Sequence, residues 1–76
     1  MSSHRPMTER ERQLFEAFKH AIDGERGAQA EYGRMATLAE DPQARAVFEA
    51  FQREERKHEE RLTQLYAEFK GHFGHE

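Results

Sequence analysis

Apolar residues recur along this chain at alternating spacings of three and four. From position 14 they run Leu14, Phe18, Ala21, Ala28, Tyr32, Met35 and Ala39, the rhythm that keeps one stripe of an α-helix apolar. The place due between Ala21 and Ala28 is taken by Glu25. A second run, Ala44, Phe48, Phe51, Leu62, Leu65 and Phe69, keeps the same rhythm and is interrupted at Glu55 and His58. Thr8 and Glu11 have capping-box spacing, in which each side chain satisfies the other's free backbone N–H, so the pattern predicts a first helix over about 9–39. Asp41 is a favoured N-cap, Pro42 suits a first helical turn, and Pro disfavours helix in the residue before it. A second helix is therefore expected over about 42–70, with Gly71 as its stop. The expected organisation is one unit over 8–71, flanked by a flexible N-terminal tail, 1–7, and a C-terminal tail, 72–76.

Two helices of about 30 residues, each about 45 Å long and joined by a tight corner, make an all-α antiparallel hairpin. Such a hairpin covers one side of each apolar stripe and leaves the other side open. Association of two copies into a four-helix bundle across a two-fold interface is the simplest remedy. Gly24, Gly27 and Gly33 lie inside the first helix, each costing about 1 kcal/mol relative to Ala. Either the small residues Ala21, Gly24 and Ala28 let another backbone or something bulky lie beside Glu25, or the glycines are merely tolerated.

Composition sharpens the need for a partner. The chain has 76 residues, of which 36% are hydrophobic, against a usual 45–50% or so. Its 12 basic and 15 acidic residues nearly cancel, to a net charge of -3, so the one-signed charge of a disordered chain is missing. With no cysteine there is neither a disulfide framework nor a thiolate metal site. Self-association or a hard metal remains. A pI near 5.9 with interspersed signs argues against nucleic acid. Nothing approaches a membrane span or a secretory signal, so the expected location is the cytoplasm.

The chemistry lies where the stripes are interrupted. Folding the hairpin at residues 40–42 brings Glu25 level with Glu55 and His58, all three facing inward. A buried carboxylate without a partner would take up a proton, and two side by side repel, so something must neutralise them. Glu55 and His58, three apart, project from one helical face and can grip one ion, with Glu25 opposite. Two hairpins would offer four carboxylates and two imidazoles, the ligand set of the di-iron carboxylate bundles, and four carboxylates balance two divalent cations.

The competing reading is a Glu–His–Glu ion network that only fixes register, as polar core residues do in coiled coils. An isolated E-x-x-H is common in so charged a helix; it is the joint placement of three residues that favours metal. Tyr32, two turns from Glu25, reads either as a hydrogen-bonding or redox neighbour of a ligand or as core filler. Arg53 to Arg61 reads as a solvated face around Glu55 and His58, and Glu31, Glu54 and Glu59 read as surface glutamates in preference to guides that lead cations toward a site. His72 and His75 could bind metal adventitiously; His4 and His20 carry no signal.

Over about residues 10–70 the chain resembles the ferritin-like superfamily, and within it the encapsulated ferritin-like proteins, two-helix half-ferritins that build a four-helix ferroxidase site by association. The resemblance is carried by Glu25 with Tyr32 seven residues later, the Asp41-Pro42 corner, and E-E-R-K-H ending in His58. It implies that Glu25, Glu55 and His58 bind iron and carry the oxidation at a two-fold interface, in a homo-oligomer that in that family is a decameric ring. It also implies an encapsulin shell as partner and iron storage as the purpose. Rubrerythrins are similar over A-x-x-x-E…Y and E-x-x-H, with both halves in one chain, which makes peroxide reduction at the same di-iron site the first alternative. Two departures stand out. Gly24, Arg26 and Gly27 replace acidic neighbours that form an outer metal site in the encapsulated family, and the C-terminal G-H-F-G-H-E lacks a recognisable shell-docking tail. The expectation is thus an O₂-dependent ferroxidase with iron, or manganese on the same oxygen and nitrogen ligands. A non-enzymatic dimeric helical module is the remaining alternative.

Overall fold

The computed structural model describes residues 6–73, and the expected tails fall partly outside them, as do His4 and His75. Helix α1 spans Glu9–Leu38 and α2 Pro42–Gly71, each of 30 residues, packed side by side as an antiparallel hairpin. No strand occurs among the described residues.

Both starts are fixed locally. The Thr8 hydroxyl accepts from Glu11 N–H at 3.1 Å while the Glu11 carboxylate accepts from Thr8 N–H at 2.9 Å, completing the capping box. Asp41 Oδ2 accepts from Ala44 N–H at 3.0 Å, and Pro42 opens α2. Across the corner Arg45 Nη2 donates to the Ala39 carbonyl at 2.9 Å, satisfying an acceptor that the end of α1 leaves free.

The apolar stripe is wider than its seam residues indicate and consists of three rows. An inner row, spaced by sevens, packs helix on helix: Phe15, Ile22, Gln29 and Ala36 in α1 against Gln52, Glu59 and Tyr66 in α2, with Phe73 just beyond its end. A middle row holds Phe18, Glu25 and Tyr32 in α1, with Phe48, Glu55, Leu62 and Phe69 in α2; all are half-buried. An outer row comprises Leu14, Ala21, Ala28 and Met35 with Phe51, His58 and Leu65. The sequence pattern put this outer row in the seam, yet Leu14 is 47% exposed and Phe51 and Leu65 are each 42% exposed. Two helices have one contact face each, and the contact turns toward the bulkier inner row of Phe15, Ile22 and Tyr66.

The hairpin is held chiefly near its ends. Phe15 and Phe18 of α1 meet Tyr66 and Phe69 of α2 with ring centroids 5.5 Å apart, and Phe73, unplaced by the seam pattern, folds onto Phe69 at 5.0 Å and is buried. Toward the corner Tyr32 meets Phe51 edge-on at 5.3 Å. Only Ile22, Ala36 and Phe73 are buried among the described apolar residues, so the core is thin. Among the described residues no helix is long and apolar enough to cross a membrane.

Candidate metal centre

Half-way along the rod the middle and outer rows turn ionic. Glu25 comes from α1, and Glu55 with His58 from adjacent turns of α2. One ligand atom from each lies within 4.8 Å of the other two. The ring nitrogen His58 Nδ1 is 3.3 Å from Glu55 Oε1 and 3.7 Å from Glu25 Oε1. The glutamate side chains are each 23% exposed, whereas the imidazole is 60% exposed. The expectation that all three face inward is thus met within one hairpin by the two carboxylates alone. His58 belongs to the outer row and faces out beside Phe51 and Leu65.

Electrostatics make this cluster unsatisfied. A hydrogen bond between the two carboxyls is the largest influence on both: it raises the Glu25 pKa above the ordinary 4.5, helped by burial and the Glu55 charge, and lowers that of Glu55. His58 pulls both downward. Of the two acids, Glu25 is therefore the one that takes up a proton first as pH falls. Even so, Glu25 Oε1 is buried and has no hydrogen-bond partner among the described residues. An orphaned buried acceptor costs about 1–3 kcal/mol and calls for an explanation such as a bound ion.

The donor set fits a hard or borderline divalent cation. Carboxylate oxygens suit iron and manganese, and a neutral imidazole with its proton on Nε2 would present the Nδ1 lone pair to the cluster. Two carboxylates and one imidazole are also half of a di-metal carboxylate set. Tyr32 sits two turns along the middle row from Glu25, with its ring against Phe51.

Behind the ligands the inner row is polar, a feature missed by the seam pattern. Glu59 Oε2 accepts from Arg26 Nε at 2.6 Å, and its Oε1 accepts from Gln29 Nε2 at 2.7 Å. Gln52 Nε2 donates to the Gln29 carbonyl at 3.1 Å. Glu59, expected as a surface glutamate, is only 22% exposed, and its two donors hold its carboxyl below the usual range, Arg26 more than Gln29. The signal was available as the heptad rows through Phe15 and Ile22 and through Tyr66 and Phe73. Of the described glycines, Gly33 alone meets a neighbour: a Cβ there would come 2.5 Å from Gln52 Nε2, whereas Gly24 and Gly27 face open space.

A family model described as rubrerythrin matches residues 16–74, well over half of the chain, and the match includes Glu25, Glu55 and His58. No curated protein and no solved structure matches the chain.

Proposed function

Since the chain belongs to the rubrerythrin family, a ferritin-like group of redox-active di-iron proteins, we propose that it is a ferroxidase whose iron site is completed by a second copy. The observation that carries this reading is the buried, unpartnered Glu25 Oε1 beside His58 Nδ1 and Glu55. One hairpin supplies two carboxylates and one imidazole; a two-fold pair supplies enough ligands for two ions. The exposed Leu14, Phe51 and Leu65 share their row with Ala21, Ala28, Met35 and His58, so covering that apolar row with a second hairpin also brings its ligands to the first.

Fe(II) is the substrate. Two Fe(II) each give up one electron, and dioxygen takes both with two protons to leave as hydrogen peroxide. Glu25 and Glu55 stabilise the added positive charge of the ferric product. Manganese suits the same ligands.

A narrow hairpin has no interior for a mineral, so oxidised iron would be stored elsewhere. We assign that role to an encapsulin shell in the cytoplasm, with this chain as an internal homo-oligomer, the encapsulated ferritin-like proteins that it resembles offering a decameric ring as precedent. Family membership favours one second reading, in which peroxide is the oxidant.

The test is anaerobic Fe(II) loading followed by native mass spectrometry and stopped-flow oxidation. Two irons per two chains and rapid oxidation by O₂ are expected. One iron or none per chain pair overturns the shared site; fast reaction with H₂O₂ and hardly any with O₂ replaces ferroxidase by peroxide reduction. No iron binding, with assembly intact in Glu25→Ala, leaves a helical interaction module.

A further inference from the structure

The polar part of the inner row lies at the level of the ligands. Gln29 is one turn after Glu25, Glu59 one turn after Glu55, and Gln52 three residues before it. Arg26 adjoins Glu25 in the chain. Three hydrogen bonds between helices, from Arg26 and Gln29 to Glu59 and from Gln52 to the Gln29 carbonyl, therefore tie the ligand-bearing turn of α1 to that of α2. Both Glu59 oxygens are used, and Gln29 is held through its side chain and its main chain.

Apolar contact fixes such turns poorly. The aromatic clusters lie on either side of this level, at Phe15, Phe18, Tyr66 and Phe69 and at Tyr32 with Phe51, and ring faces slide over one another at little cost. A slide of one residue is about 1.5 Å, whereas a ligand constellation must be held to about 0.5 Å. Directional hydrogen bonds resist what ring packing permits.

We infer that Glu59, clamped by Arg26 and Gln29, is a positioning residue of the metal centre, setting the axial register that keeps Glu25 opposite Glu55 and His58. It touches no metal and acts through the two helical turns. The inference rests on the metal-binding reading. Because the ends of the hairpin are packed independently of the clamp, its loss loosens the site more than the fold.

The experiment uses Co(II) under anaerobic conditions as a redox-silent, coloured probe, with the full chain and the variants Glu59→Gln, Arg26→Ala and Arg26→Lys. Affinity, visible spectrum, helicity and subunit number are measured for each. In Glu59→Gln and Arg26→Ala the Co(II) Kd rises about tenfold, the scale typical of lost ligand support, and the spectrum changes, while helicity and subunit number hold. Arg26→Lys, which keeps a cation for Glu59, recovers most of the affinity. Wild-type affinity and spectrum in the first two variants overturn the inference, as does a loss that only follows lost helicity. Should Glu59→Gln fail to fold, Arg26→Ala decides the matter, since the Arg26 side chain is 61% exposed. A wild type that binds no Co(II) overturns the metal reading and this inference with it, an outcome distinct from variants that bind as well as wild type.

Discussion

Glu25 Oε1 and His58 Nδ1 face each other across the hairpin at 3.7 Å, and the glutamate oxygen is buried with no hydrogen-bond partner among the described residues. The pair links a middle-row acid of one helix to an outer-row imidazole of the other. A cation that relieved that acid would also meet the row on which His58 lies.

Replacing the acid should separate stability from binding. Glu25→Leu removes a buried acceptor without a partner, so the metal-free protein should gain about 1 kcal/mol. Iron per chain pair should fall from two to none. Thermal melts at fixed protein concentration, with and without Fe(II), check both; a less stable metal-free variant would show that Glu25 is satisfied in a way the hairpin does not reveal.

Acidification should release metal. The Glu25 pKa is raised above 4.5, chiefly by its hydrogen bond to Glu55, so cation binding displaces a proton and apparent affinity falls as pH drops from neutrality toward the ordinary carboxylate range. The metal-free fold responds oppositely: its folded state holds that proton more tightly than the unfolded chain, so the Glu25 contribution is present below the unfolded pKa and lost as pH rises through the raised one. Glu59, lowered by Arg26, contributes above the unfolded pKa and loses its contribution as pH falls through its folded one. Mn(II) titrations across this range check the first effect, and comparing Glu25→Gln with wild type isolates the second.

The outer row should govern association. Phe51→Asp places a charge on the outer row that also carries His58 and Leu65, and the dimer should weaken by about 2 kcal/mol or more, roughly thirtyfold in Kd. Sedimentation equilibrium checks this. An unchanged mass would remove the second copy from this face.

Two glycines of α1 should respond differently to alanine. Gly27→Ala meets open space and should add about 1 kcal/mol from helix propensity. Gly33→Ala displaces Gln52 from its bond to the Gln29 carbonyl, and the loss of about 1 kcal/mol cancels the gain. Urea unfolding of both variants at one protein concentration measures the difference.

Much was legible because it is local. The Thr8–Glu11 box, the Asp41-Pro42 corner and the rhythm of three and four concern neighbours along the chain, and they place two helices and their turn without knowledge of distant contacts. Glu25, Glu55 and His58 were legible for a related reason: an ionic interruption in an apolar rhythm is conspicuous, and a hairpin with one corner leaves little choice of height. The polar pair of Glu59 and Arg26 was not. In a segment such as R-E-E-R-K-H-E-E-R every charge looks solvated until the neighbouring helix is in place.

The sequence by itself determined the hairpin, its corner and the level at which carboxylates and imidazole gather, because helical periodicity and capping act within a few residues. Only the tertiary structure decided which side of a broad apolar stripe closes the hairpin. Packing chose the inner row of Phe15, Ile22 and Tyr66, since bulky side chains fill the space between two helices better than Ala21 and Ala28 do. That choice left His58 facing outward with Phe51 and Leu65, and set Glu59 against Arg26 behind the ligands.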